Sequence, residues 1–156
     1  MIDANQFIVF KLGTENYQEF AIKINEVEEI ITPRKITKLP QVAEFIEGII
    51  DLRGEIVIVI DLRTRLDFPN NPENDSRIII VNINNTNVGF IVDDASEVIR
   101  INADDIAKPN SQIVGIKTDF LKGIAKLEDR LILLLDHVNL LSTTEQARIE
   151  ELAQDN

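Results

Sequence analysis

The chain has 156 residues, 44% of them hydrophobic, with no cysteine and a formal net charge of −11. That length and apolar content suffice for a core without disulfide or metal, and the missing cysteine excludes thiol catalysis, a thiolate zinc site and a disulfide framework. The acidity is even, with 8 basic and 14 acidic residues up to Ser76 and 8 and 13 beyond it, so neither half offers the cationic cluster that nucleic acid or an anionic membrane requires.

No basic segment leads into an apolar run at the N-terminus and no run approaches the length of a membrane span, so a cytoplasmic protein without direct membrane insertion is expected. Phe7 to Leu12 and Phe20 to Ile24 are short apolar runs about a polar turn, which predicts a strand hairpin. Asn25 stands where it can cap one helical turn, Val27 to Ile31 predicts a third strand, and Pro33 ends it. Pro40 marks the entry to a turn over Val42 to Glu47. From Phe45 to Leu66 the pattern is an apolar strand, the two-residue turn Arg53-Gly54 and a longer apolar strand that runs into Asp61, a cap for the next helical turn. Asp67 to Ser76, with two prolines and three asparagines, predicts an exposed loop. Arg77 to Ile83 and Val88 to Val92 predict strands about a turn of Asn84 to Asn87, with a further strand around Glu97-Val98-Ile99. Phe120 to Leu141 repeats the earlier hairpin, with Glu128-Asp129 as its turn and Asp136 in the capping place. Ser142 and Glu145 form a capping box that opens a C-terminal helix, frayed at its end, over 142–156.

The repeat is regular. Phe45 matches Phe120, Gly48 matches Gly123, Leu52 matches Leu127 and Asp61 matches Asp136 at one spacing (120 − 45 = 75). Glu29-Ile30-Ile31 recurs as Glu97-Val98-Ile99 (97 − 29 = 68). A duplication therefore covers both halves. Five short strands per copy leave two exposed edges unless the sheet closes, which predicts an all-β fold of two small five-stranded antiparallel barrels. One domain spans 1–156, with closely packed subdomains over about 7–66 and 77–141, and strand exchange between them stays open.

The search for chemistry finds no phosphate-binding glycine loop, nucleophile elbow or calcium-loop spacing. The single histidine, His137, follows a capping aspartate, where a surface or half-packed ring is the ordinary outcome. Asp93-Asp94 and Asp104-Asp105 sit at strand ends, where caps and turns use such residues. No enzyme, metal or cofactor is expected. Positions that differ between the copies are free to carry a task, and Arg53 is the clearest, because Glu128 stands in its place. An exposed bond between Glu29 and Arg53 would add little stability, whereas holding a guanidinium for a partner is a sufficient reason for it.

The succession of Val27 to Ile30 (VEEI), Gly48 to Gly54 (GIIDLRG), Val59 to Arg63 (VIDLR), Arg77 to Val81 (RIIIV), Val88 to Asp93 (VGFIVD), Ser96 to Val98 and Leu121 to Leu127 (LKGIAKL) resembles the CheW chemotaxis adaptors, in order, from Phe7 to Leu141. The resemblance implies two SH3-like barrels and a non-catalytic adaptor, a monomer when isolated. Such an adaptor couples the cytoplasmic tips of methyl-accepting chemoreceptors to the regulatory domain of the histidine kinase CheA in signalling arrays. It implies Arg53 as the receptor-facing arginine and Glu29 as its partner, with Val27 and Gly48 near the same surface. The kinase contacts it implies are exposed apolar strand ends, assigned to Val88 and Phe90. Two departures stand out. Asp51 replaces a common asparagine and is expected to compete with Glu29 for Arg53, and Ile58 replaces a frequent proline, restoring a backbone donor. A coupling domain of the CheV kind, or an adaptor of a non-flagellar chemosensory system, is the alternative, although no receiver-like segment follows Leu141.

Overall fold

In the computed structural model, which describes residues 5–13, 17–69, 76–108 and 120–154, the apolar runs become strands and the polar pairs between them become tight turns. The elements are β1 (Gln6–Leu12), β2 (Gln18–Lys23), β3 (Val27–Ile31), β4 (Ile46–Leu52), β5 (Glu55–Asp61), α1 (Leu62–Arg65), β6 (Arg77–Ile83), β7 (Thr86–Val92), β8 (Asp94–Arg100), β9 (Ile106–Ala107), β10 (Leu121–Leu127), β11 (Arg130–Leu135) and α2 (Thr143–Gln154). Arg53 and Gly54 have φ of 53° and 87°, and Asn84 and Asn85 have 51° and 67°. Left-handed backbone at both turn positions matches the twist of the strands it joins. The second of these turns is two residues rather than four, since Thr86 and Asn87 already belong to β7. Asn25 lies inside the 3-10 turn Ile24–Glu26 and does not cap it. Most of the loop expected over 67–76 lies outside the described residues.

The sheets do not follow the halves of the sequence. A six-stranded sheet runs β8-β1-β2-β11-β10-β9 and a five-stranded sheet β3-β6-β7-β5-β4. Each half thus lends its first hairpin, β1–β2 or β6–β7, to the sheet built around the other half's second hairpin. Where hairpins from different halves meet, the pairing is parallel, β2 on β11 and β5 on β7. The expectation of wholly antiparallel barrels differs here because a tight turn imposes antiparallel pairing within a hairpin, and no turn links these strands. The ladders also end at β8 and β9, and at β3 and β4, rather than closing into complete rings of pairs.

Burial explains the unbroken apolar runs. In β5, Val57 and Val59 join Ile50, Leu52, Ile78 and Ile80 in a cluster drawn from the five-stranded sheet alone. Ile58 and Ile60, on the opposite face, pack with Phe10, Phe20, Phe90, Leu133 and Leu135 in a cluster drawn from both sheets. A strand covered on both faces shows no polar alternation. Phe7, Val9, Ala21, Ala125, Ile132 and Leu134 form the third cluster, within the six-stranded sheet.

The duplication recurs in bonds. Asp61 N donates to Phe45 O at 2.9 Å and Asp136 N to Phe120 O at 2.8 Å. Both Phe45 and Phe120 lie 5.2 Å from the Arg65 guanidinium, which sits against the two equivalent rings. Ser142 and Glu145 bond reciprocally, Ser142 N to Glu145 Oε1 at 2.8 Å and Glu145 N to Ser142 Oγ at 3.1 Å. The capping box is therefore formed, and the helix it opens is part of the body of the protein, because Ile149 is buried in the core that joins the sheets. Among the described residues no helix is long and apolar enough to cross a membrane.

Candidate functional site

The residue that sets the site is a bulge. β3 pairs with β6 as Val27 on Val81 and Glu29 on Ile80, which leaves Glu28 unpaired. An extra residue of this kind bends the strand and redirects the side chains beyond it. Glu29 then faces the β4–β5 hairpin tip, where Arg53 Nη1 donates to Glu29 Oε1 at 3.2 Å and Nη2 donates to Oε2. The Arg53 side chain is 70% exposed and that of Glu29 30%. The bond from Arg53, opposed by burial and aided by the charges of Arg53 and Arg34, holds the Glu29 carboxyl below its ordinary range. In turn, the bond to Glu29 and its charge raise Arg53. A planar guanidinium fixed by two bonds from one side still presents its remaining donors to solvent.

Asp51 does not compete for that arginine. Its Oδ1 accepts from Gly54 N at 2.8 Å, so the carboxylate closes the hairpin turn below Arg53, a local bond that a short side chain three residues upstream makes readily. Gly48 is buried beneath the segment around Thr37. A Cβ there would lie 2.1 Å from Thr37 O, in the place where Thr37 N and Ile49 O, and Ile49 N and Thr37 O, bond at 2.8 Å. Val27 is half-buried against the core between the sheets. The structure thus gathers Glu29 and Arg53 at the surface, while Val27 and Gly48 lie under it.

Val88 and Phe90 are fully buried, each 0% exposed, which corrects their assignment as exposed strand ends. β7 is the middle strand of five, and its Val88, Phe90 and Val92 face the core between the two sheets. His137 is likewise corrected. Its ring is 3% exposed, with Nε2 3.1 Å from Asn82 O and Nδ1 3.3 Å from Glu26 Oε2, too poorly aligned to form a hydrogen bond. Asp93 is buried and accepts from Gly13 N at 2.7 Å and from Arg63 Nη1 at 3.1 Å, a structural role.

Sequence reasoning overlooked Arg130. The bulge recurs in β8, where Val9 pairs with Glu97 and Phe10 with Ala95. Arg130 donates to Glu97 at 2.9 and 3.3 Å and to Glu19 at 3.1 and 2.5 Å. Those bonds, the ones to Glu19 first, raise its pKa. The repeated glutamate was the available signal, since Glu97 called for an arginine as Glu29 did. Arg130, its side chain 36% exposed, is shared between two carboxylates, whereas among the described residues Arg53, 70% exposed, bonds to one. The two lobes share a glutamate–arginine device, and the first leaves its cation the more open of the two. No group of three or more His, Asp or Glu side chains suited to a metal occurs among the described residues.

Known proteins share the family and the fold of this chain. The model of the CheW-like domain family matches residues 6–145. The chain is 32% identical over 152 residues to chemotaxis protein CheW of Klebsiella aerogenes, covering 97% of this chain and 90% of that one. It is 37% identical over 135 residues to chemotaxis protein CheW of Bacillus subtilis, covering 84% and 83%. The crystal structure of the scaffolding protein TtCheW from Thermoanaerobacter tengcongensis superposes with a TM-score of 0.81 at 36% identity, over 92% of this chain and 91% of that one.

Proposed function

Because the chain belongs to the CheW-like family of chemotaxis coupling proteins, we propose that it is a non-catalytic cytoplasmic adaptor joining chemoreceptors to the histidine kinase CheA. The observation that carries the receptor half of this reading is the exposed arginine held from one side by Glu29. A receptor tip is a helical hairpin. An amphipathic helix gains affinity by burying its apolar face, and a fixed guanidinium beside it sets register against carbonyl or carboxylate groups. Arg53 and Glu29 form the receptor contact, and Val27 and Gly48 support it from beneath by holding β3, β4 and the Thr37 segment in place. Contacts with CheA are assigned to exposed groups and no longer to Val88 and Phe90. Several weak contacts, each reversible, suit a protein that works in an array.

Co-sedimentation of the purified full chain with CheA and a soluble receptor-tip fragment tests the reading. Association with both partners at low salt, weakening as salt rises, is the expected result. Failure to join either would leave a family fold without the family's role.

A further inference from the structure

A cavity of about 170 Å³ opens into the six-stranded sheet. Its apolar wall comes from Phe7 on β1, Ala21 on β2, Ile106 on β9 and Leu134 on β11. Ala21, on the face of β2 opposite Phe20 and Ile22, contributes only a methyl group to this wall, which leaves the space open. Lys23, Glu26 and Lys122 also line it, each with part of its side chain in solvent. Lys122 Nζ lies 3.2 Å from Glu26 Oε1, while Lys23 has no partner among the described residues. One cavity of an acidic protein is thus edged by two ammonium groups and one carboxylate, an excess of one positive charge.

An apolar chamber of this size accepts a body of about six carbons, since a comparable apolar cavity of about 150 Å³ holds benzene. Charge at the opening decides the rest. A neutral hydrocarbon leaves Lys23 without a counterion and a cationic ligand is repelled, whereas a carboxylate at the opening gains charge-assisted bonds. We propose that the cavity binds a small monocarboxylate whose apolar body of about four to six carbons lies among Phe7, Ala21, Ile106 and Leu134, and whose carboxylate meets Lys23 and Lys122. The walls of the site belong to the six-stranded sheet, whereas Arg53 stands on the five-stranded one, and the proposal does not depend on the adaptor reading.

Sodium hexanoate titrated into the isotope-labelled full chain, followed by amide chemical shifts, tests this. Saturating shifts confined to β1, β2, β9, β10 and β11 are expected in the millimolar range. Acetate, which lacks the body, binds about tenfold more weakly or not at all, and hexylammonium does not saturate these amides. Lys23→Gln lowers hexanoate affinity about fivefold while the spectrum otherwise persists. Ala21→Leu fills the chamber and abolishes binding, and should it unfold the protein, Lys23→Gln still decides. Shifts that grow without saturating, hexylammonium binding as well as hexanoate, or Lys23→Gln leaving affinity unchanged would each overturn the proposal.

Discussion

Removing the Arg63 guanidinium should expose how the two sheets are tied together. Arg63 Nε and Nη2 donate to Asp61 Oδ1 and Oδ2 at 3.0 and 3.1 Å, and Nη1 donates to Asp93 Oδ1 at 3.1 Å. Asp61 ends β5 of the five-stranded sheet. Asp93 stands where the chain leaves β7 for β8, and it holds Gly13 at the end of β1. Both carboxylates are buried, and the Arg63 side chain is 11% exposed. Burial disfavours the guanidinium charge, yet the bonds to Asp61 and Asp93 outweigh it and raise its pKa. In Arg63→Met the packing volume is largely kept and two buried carboxylates lose their cation. Breaking such a group from one side costs about 3–5 kcal/mol. The low end, about 3 kcal/mol, applies because Asp61 still accepts from the residue 63 backbone N and Asp93 from Gly13 N, so neither carboxylate is wholly orphaned. Against a total stability of about 5–15 kcal/mol this is a large fraction, and Tm should fall by roughly 6–12 °C for a chain of this size. Urea denaturation at pH 7 followed by circular dichroism measures it, and adding Asp93→Asn to the variant should recover at least about 1 kcal/mol by removing one unpaired charge. A loss below about 1 kcal/mol in Arg63→Met would refute the view that this cluster joins the sheets.

Gly48→Ala should destabilise by about 1–3 kcal/mol, because its methyl group would meet Thr37 O, and hydrogen exchange at the Ile49 amide should quicken as that bridge opens. Phe90→Ala should cost about 3–5 kcal/mol, and any loss of partner binding should track the unfolded fraction, because Phe90 has no surface to offer. Glu29 should titrate below the ordinary glutamate value of 4.5, and Arg53→Gln should return it toward that value. With the folded pKa depressed, the pair's contribution is present above 4.5 and is lost as pH falls through the folded value; carboxyl carbon shifts against pH measure both proteins.

Local chemistry made the hairpins legible, because Gly54, Asn84 and Asn85 are residues that accept left-handed backbone between apolar runs. Arg53 was legible for a different reason, since a duplication shows which positions the copies do not share and Glu128 stands where Arg53 would recur. Strand exchange was not. The runs in β5 and β7 are apolar on both faces, so periodicity does not say which face meets its own sheet and which meets the other. Val88 and Phe90, assigned through the resemblance to exposed strand ends, were misplaced for the same reason, because β7 runs through the centre of its sheet with both faces covered. Asp51 was misjudged because closeness in sequence to Arg53 weighed less than the bond to Gly54 N. Arg63, Arg65 and Arg130 form clusters whose members lie 30 to 111 residues apart in several bonds, a separation that no local pattern records.

In the proposed adaptor, Arg53 marks the receptor face while the rest of the molecule serves the kinase and the fold. Co-sedimentation of Arg53→Glu beside the wild type, with CheA and the receptor-tip fragment offered together and separately, is the decisive test. The variant should fold, retain CheA and lose the receptor fragment, with Arg130→Glu as a charge control that keeps the receptor if it folds. Retention of the receptor by Arg53→Glu, or equal loss of both partners from a folded variant, would contradict that assignment.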